Sequence, residues 1–68
     1  MLNQKQEMIM DFLRREIRAS TSKIASYVGI PNEYALKYLN ELLENKLIIK
    51  EEETNAIYWK ISEKKNEI

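Results

Sequence analysis

Cysteine and histidine are both absent from this sequence of 68 residues. Without cysteine there is no disulfide, no thiol nucleophile and no thiolate ligand. Without histidine as well, the usual ligands of zinc, iron and copper are missing. The commonest general base is gone too, so a serine such as Ser22 has no imidazole to activate it. No catalytic residues, no cofactor and no metal site are therefore expected. Glycine and proline occur once each, as Gly29 and Pro31, which leaves no flexible linker and no Gly- or Pro-rich repeat. Long apolar runs are lacking: Leu47-Ile48-Ile49 is closed on both sides by lysine. Nothing approaches the roughly 20 residues of a membrane span or the apolar core of a secretory signal. An excess of one charge is missing as well, with 11 Lys+Arg against 11 Asp+Glu. The basic surplus that marks many nucleic-acid-binding domains is thus not there. With no cysteine and no signal, a cytoplasmic location is expected.

What is present is a short chain with clear periodicity. Its length allows one domain, which buries only about 60% of its unfolded surface. Apolar packing must hold it. Ile9, Phe12, Leu13 and Ile17 recur at helical spacing beside Met8, predicting a first helix over about 4–17 with Asn3 as its N-cap. Arg14, Arg15 and Arg18 gather at its far end, where cations suit the helix dipole. Hydroxyls at Ser20, Thr21 and Ser22 precede Ile24, Ala25 and Val28, a second helix over about 22–28 that Gly29 stops. Pro31 then suits the start of a third helix over about 32–45, with Ala35, Leu39 and Leu42 as its buried stripe. Leu36 and Leu43 on its flank are expected to complete the core. The period then changes from helical to alternating. Leu47 to Glu51 and Ala56 to Ile61 are rich in β-branched and aromatic residues and enclose a polar turn, predicting a hairpin over about 47–61. Ile57, Trp59 and Ile61 share its inner face, with Trp59 a core residue. Ser62 reads as the capped start of a short tail over 62–68. The fold class is mainly α with a small β-hairpin.

The order helix, helix, turn at Gly29, helix, hairpin resembles the winged helix-turn-helix regulators. The resemblance is carried by Ser22-Lys23-Ile24-Ala25-Ser26-Tyr27-Val28-Gly29-Ile30-Pro31, by Ala35-Leu36-Lys37-Tyr38-Leu39-Asn40-Glu41-Leu42, by Asn45-Lys46-Leu47-Ile48 and by Ile57-Tyr58-Trp59-Lys60-Ile61-Ser62. It extends to small one-domain members of the FaeA-like type and of archaea and their viruses. The implied architecture is three helices plus a wing sheet of two or three strands. The implied function is sequence-specific binding of double-stranded DNA and regulation of transcription, with the third helix in the major groove. The resemblance nominates Thr21, Ser22 and Lys23 for phosphate. It nominates Glu33, Tyr34, Lys37, Asn40 and Glu41 on the third helix, and Lys50, Thr54 and Asn55 on the wing.

Side-chain chemistry supports part of this set. At about 100° per residue, Glu33, Lys37, Asn40, Glu41 and Glu44 lie opposite the buried stripe, with Tyr34 beside them. Lysine suits guanine and asparagine suits adenine in the major groove. Glu33 and Glu41 each stand four residues from Lys37 and can pair with it. The wing departs from the family pattern: Glu51-Glu52-Glu53 stands where relatives carry basic residues. Residues 1–37 hold six basic and four acidic groups, and residues 38–68 five basic and seven acidic. The zero total thus hides a basic leading edge, with Arg14, Arg15 and Arg18 as candidate phosphate contacts, and an acidic wing. That wing supports the alternative reading of a protein-protein interaction module with little DNA affinity. Expected partners are double-stranded DNA and either a second regulatory protein or a second copy docked through the first helix. A membrane is not expected, and the protein is placed on the nucleoid when bound to DNA.

Overall fold

A computed structural model describes residues 2–62. Of the expected tail over 62–68, residues 63–68 lie outside the described residues. Helix α1 (Gln4–Arg15) starts at a reciprocal cap. The Gln6 backbone N–H donates to the Asn3 side chain at 2.7 Å, and the Asn3 N–H donates to Gln6 Oε1 at 3.1 Å. The helix buries Ile9, Met10, Phe12 and Leu13. It stops two residues before the expected end. Glu16 is already extended (φ −101°, ψ 147°), and Ile17 is 88% exposed rather than part of the stripe. The chain leaves the helix there because the next residues enter a sheet.

That entry is β1 (Ala19–Ser20), a strand too short for periodicity to reveal. Ser20 also caps α2 (Thr21–Val28), accepting from the Lys23 backbone N–H at 3.2 Å. Helix α2 thus begins one residue earlier than expected. Gly29 ends it in the left-handed region (φ 83°), a conformation glycine adopts without steric cost, and its N–H donates to the Ala25 carbonyl at 2.8 Å. Helix α3 (Asn32–Glu44) follows. Pro31 supplies no side-chain cap, but its carbonyl accepts from Tyr34 and Ala35. Ala35, Leu39 and Leu42 are fully buried, as their spacing requires. Leu43 packs against the core, whereas Leu36 is 43% exposed and does not.

Strands β2 (Ile48–Glu53) and β3 (Ala56–Ile61) make the hairpin, and β3 is the central strand of a three-stranded antiparallel sheet ordered β1-β3-β2. Trp59 lies opposite both Ala19 and Lys50, and Tyr58 opposite both Ser20 and Glu51. Alternation therefore sends Ala19, Ile48, Trp59 and Ile61 inward, with Arg18, Glu51, Glu53, Tyr58 and Lys60 on the outer face. Trp59 is fully buried. Its Nε1–H donates to Thr21 Oγ1 at 2.9 Å, which satisfies the indole and ties the sheet to the first residue of α2. Met10 is a core residue, and Leu2 and Met8 pack against that core. The methionines of α1 thus serve this chain's own interior.

Candidate nucleic-acid interface

The outer face of α3 is open to solvent. Glu33, Tyr34, Lys37 and Asn40 are exposed, Tyr34 at 57%. Among the described residues no carboxylate pairs with Lys37: neither Glu33 nor Glu41 forms the expected i,i+4 bridge. Glu41 is instead turned toward α1, where Gln6 Nε2 donates to its Oε1 at 2.8 Å. Gln6 is 5% exposed, so its amide requires this acceptor. Glu41 stays exposed, with this one oxygen engaged by Gln6. Its partner stands 35 residues away, beyond what spacing can reveal.

The opposite flank of α3 is fixed to α2. Asn32 Nδ2 donates to Ser22 Oγ at 3.2 Å, which joins the first turns of the two helices. Asn32 was not expected here. Thr21 is partly covered, with its hydroxyl oxygen occupied by Trp59, while Lys23 stays exposed with no carboxylate partner among the described residues. Thr21 and Ser22 face Thr54 and Asn55 across an open groove of about 670 Å³ that Ser20, Glu52, Glu53, Ala56 and Ile57 also line. The structure thus brings the start of α2 and the wing turn together. Lys50 does not line this groove. Its ammonium lies 3.7 Å from Glu52 and 5.7 Å from the centre of the Trp59 ring.

The basic leading edge is largely engaged. Arg14 pairs with Asp11 at 2.7 Å, one turn back on α1. Arg15 Nη2 donates to Tyr27 Oη at 2.8 Å, and Tyr27 stacks on Phe12 with 4.4 Å between ring centres. Arg18 departs furthest from the expected phosphate contact. Its guanidinium reaches Glu51 at 3.1 Å and Glu53 at 2.7 Å, and lies 4.0 Å from the centre of the Tyr58 ring. Lys60 approaches Glu51 from the other side at 3.0 Å. Hydrogen bonds to Glu53 and Glu51 raise the Arg18 pKa further, and hydrogen bonds from Lys60 and Arg18 hold the Glu51 carboxyl below its ordinary value. The positive end and the acidic wing, separate in the sequence, meet on one sheet face. The wing glutamates are thus matched by cations of this same chain.

Three helices, a helix-turn-helix at Gly29 and a β-hairpin packed after α3 define a winged helix-turn-helix fold. Solved structures bear this out. A cysteine mutant of Lactococcus lactis ZitR in complex with DNA superimposes with a TM-score of 0.85 at 29% identity, over 93% of this chain and 44% of that one. The zinc-responsive MarR family member ZitR of the same organism gives 0.84 at 29% identity, over 93% and 45%. The Zalpha domain of PKZ from Carassius auratus, in complex with Z-DNA, gives 0.77 at 22% identity over 85% and 92%, a likeness of fold. This chain spans less than half the length of the ZitR chains. No protein-family model matches it, and no similar curated protein was found. The zinc response of ZitR has no histidine or cysteine to rest on in this sequence. No helix among the described residues is long and apolar enough to cross a membrane.

Proposed function

We propose that this chain binds duplex DNA as a transcription regulator inside the cell, with α3 in the major groove. The observation that carries this reading is the likeness, at 29% identity over nearly the whole chain, to a winged-helix protein solved on DNA. The exposed, unpaired face of α3 supports it: Lys37 and Asn40 offer the donors and acceptors that base edges require. Lys23 at the start of α2 supplies a cation for phosphate, with Thr54 and Asn55 across the groove as polar contacts. Binding, not catalysis, is the activity assigned. The interaction-module alternative loses its main support, since the acidic wing is paired with Arg18, Lys50 and Lys60 rather than left open for a basic partner. A single copy makes few phosphate contacts, so a second copy or another regulator on the DNA is part of the proposal.

Selection of duplexes from a random pool by the purified chain, followed by titration over a range of salt, tests this. Affinity falling steeply with salt is expected, because phosphate binding releases counterions. Lys37→Ala is expected to alter sequence preference, and Lys23→Ala to weaken all duplexes alike. No duplex binding at low salt overturns the proposal.

A further inference from the structure

We infer that Leu36 is a specificity residue that reads the 5-methyl group of thymine, so that the recognition face of α3 selects an A·T-containing site. This rests on the placement of α3 in the major groove proposed above. Leu36 is 43% exposed in a domain with little apolar area to spare. It lies at the middle of an i, i+4, i+8 stripe with Asn32 and Asn40, all three exposed along one flank of the helix. The stripe has a fixed origin, because Asn32 is hydrogen-bonded to Ser22 at the start of α2. The flank therefore faces the side of the molecule where α2 and the wing turn meet, not the side that Glu41 and Gln6 close against α1.

The chemistry of the stripe matches one kind of base pair. An asparagine amide pairs with the adenine N6–H donor and N7 acceptor, and an apolar side chain contacts the thymine methyl, which lies in the same groove. Leu36 and Asn40 are one helical turn apart, about 6 Å along the axis. That rise spans about two base-pair steps of 3.4 Å, so the two side chains address pairs about two steps apart. Lys37, beside Leu36, supplies the positive charge that the wing withholds. A leucine in this position adds nothing to phosphate binding. Its exposure is explained by a contact with an apolar group, and thymine carries the apolar group that the major groove displays.

Replacing thymine by deoxyuridine removes that methyl while leaving base pairing intact. In the duplex selected from the random pool, each thymine is replaced in turn and affinity is measured for the full chain and for Leu36→Ala. One or two adjacent positions are expected to lose about fourfold in the parent chain, the value of one buried methyl, and to lose nothing further in the variant. Leu36 is on the surface, so the variant is expected to keep its melting temperature. A selected site without A·T pairs overturns the inference, as does a deoxyuridine effect that persists in Leu36→Ala. A change of self-association in Leu36→Ala with no deoxyuridine effect also overturns it and makes Leu36 a protein contact. These outcomes leave DNA binding itself intact, whereas absence of any duplex binding removes both proposals.

Discussion

The outer face of the sheet and the outer face of α3 are both polar, and they hold their charges in opposite ways. On the sheet, Arg18, Glu51, Glu53 and Lys60 form a connected set of ion pairs beneath which lies the Tyr58 ring. On α3, Lys37 stands without a carboxylate partner among the described residues, and Asn40 is exposed beside it. A charge already matched within the chain has less to give a ligand, since binding must first break the existing pair. The two faces therefore differ in what they leave free: the sheet face holds the wing against the body, and the α3 face is left open, as the proposed recognition role requires. This is how a chain with no net charge can still present a cation where it is needed.

Both faces stand on one support, and removing it gives the largest expected effect. Trp59 is fully buried, lies at the centre of the sheet and donates its indole N–H to α2. Trp59→Ala is expected to cost about 3–5 kcal/mol, against a total stability of about 3–10 kcal/mol for 68 residues. Denaturant unfolding measures this, and the variant is expected to lose DNA binding with the fold. A loss below about 1 kcal/mol would mean that the wing is not packed through this residue.

The next effect separates the two faces. Lys37→Ala is expected to change stability by no more than about 0.5 kcal/mol while costing about 1–3 kcal/mol in binding to the preferred duplex. Arg18→Ala is expected to do the reverse: a lower melting temperature, most evident at low salt, with affinity for DNA nearly kept. Thermal melts and duplex titrations on both variants decide it. An Arg18→Ala protein that melts normally but has lost affinity for every duplex would return Arg18 to the phosphate-contacting role that its sequence position suggests.

The ion pairs of Arg18 mark where reading from sequence stops. The helices were legible because Ala35, Leu39 and Leu42 repeat at helical spacing and Gly29 can only be punctuation. Trp59 was legible as core because it shares an alternating face with Ile57 and Ile61, although Ile57, near the wing turn, is 41% exposed. Two residues of β1 carry no period, so the third strand was open, and with it the early end of α1 and the exposure of Ile17. The contacts of Gln6 with Glu41 and of Arg18 with Glu51 and Glu53 join residues 33 to 35 positions apart. Only the sheet register and the packing of α1 on α3 bring them together. Local charge spacing instead suggested that Lys37 pairs within its own helix, and the structure shows it does not.

The smallest effect is in the pH dependence of the sheet face. Hydrogen bonds from Lys60 and Arg18 hold the Glu51 carboxyl below its ordinary value of 4.5. A group with a depressed native pKa contributes stability that is fully present above its unfolded value and is lost as pH falls through the native one. The contribution of Glu51 is thus intact at neutral pH and fades below about pH 4.5. Arg18, with its pKa raised further, stays charged throughout and does not share in the titration. Replacing Glu51 by Gln removes the titrating group and keeps its shape. The melting temperatures of the parent chain and Glu51→Gln are expected to differ at neutral pH and to converge as pH falls below about 4, where the carboxyl of the parent becomes protonated. The exposure of the pair to water keeps the difference small. A difference that is constant from pH 7 to about pH 3 would show that the glutamate acts through packing on Tyr58 and not through its charge.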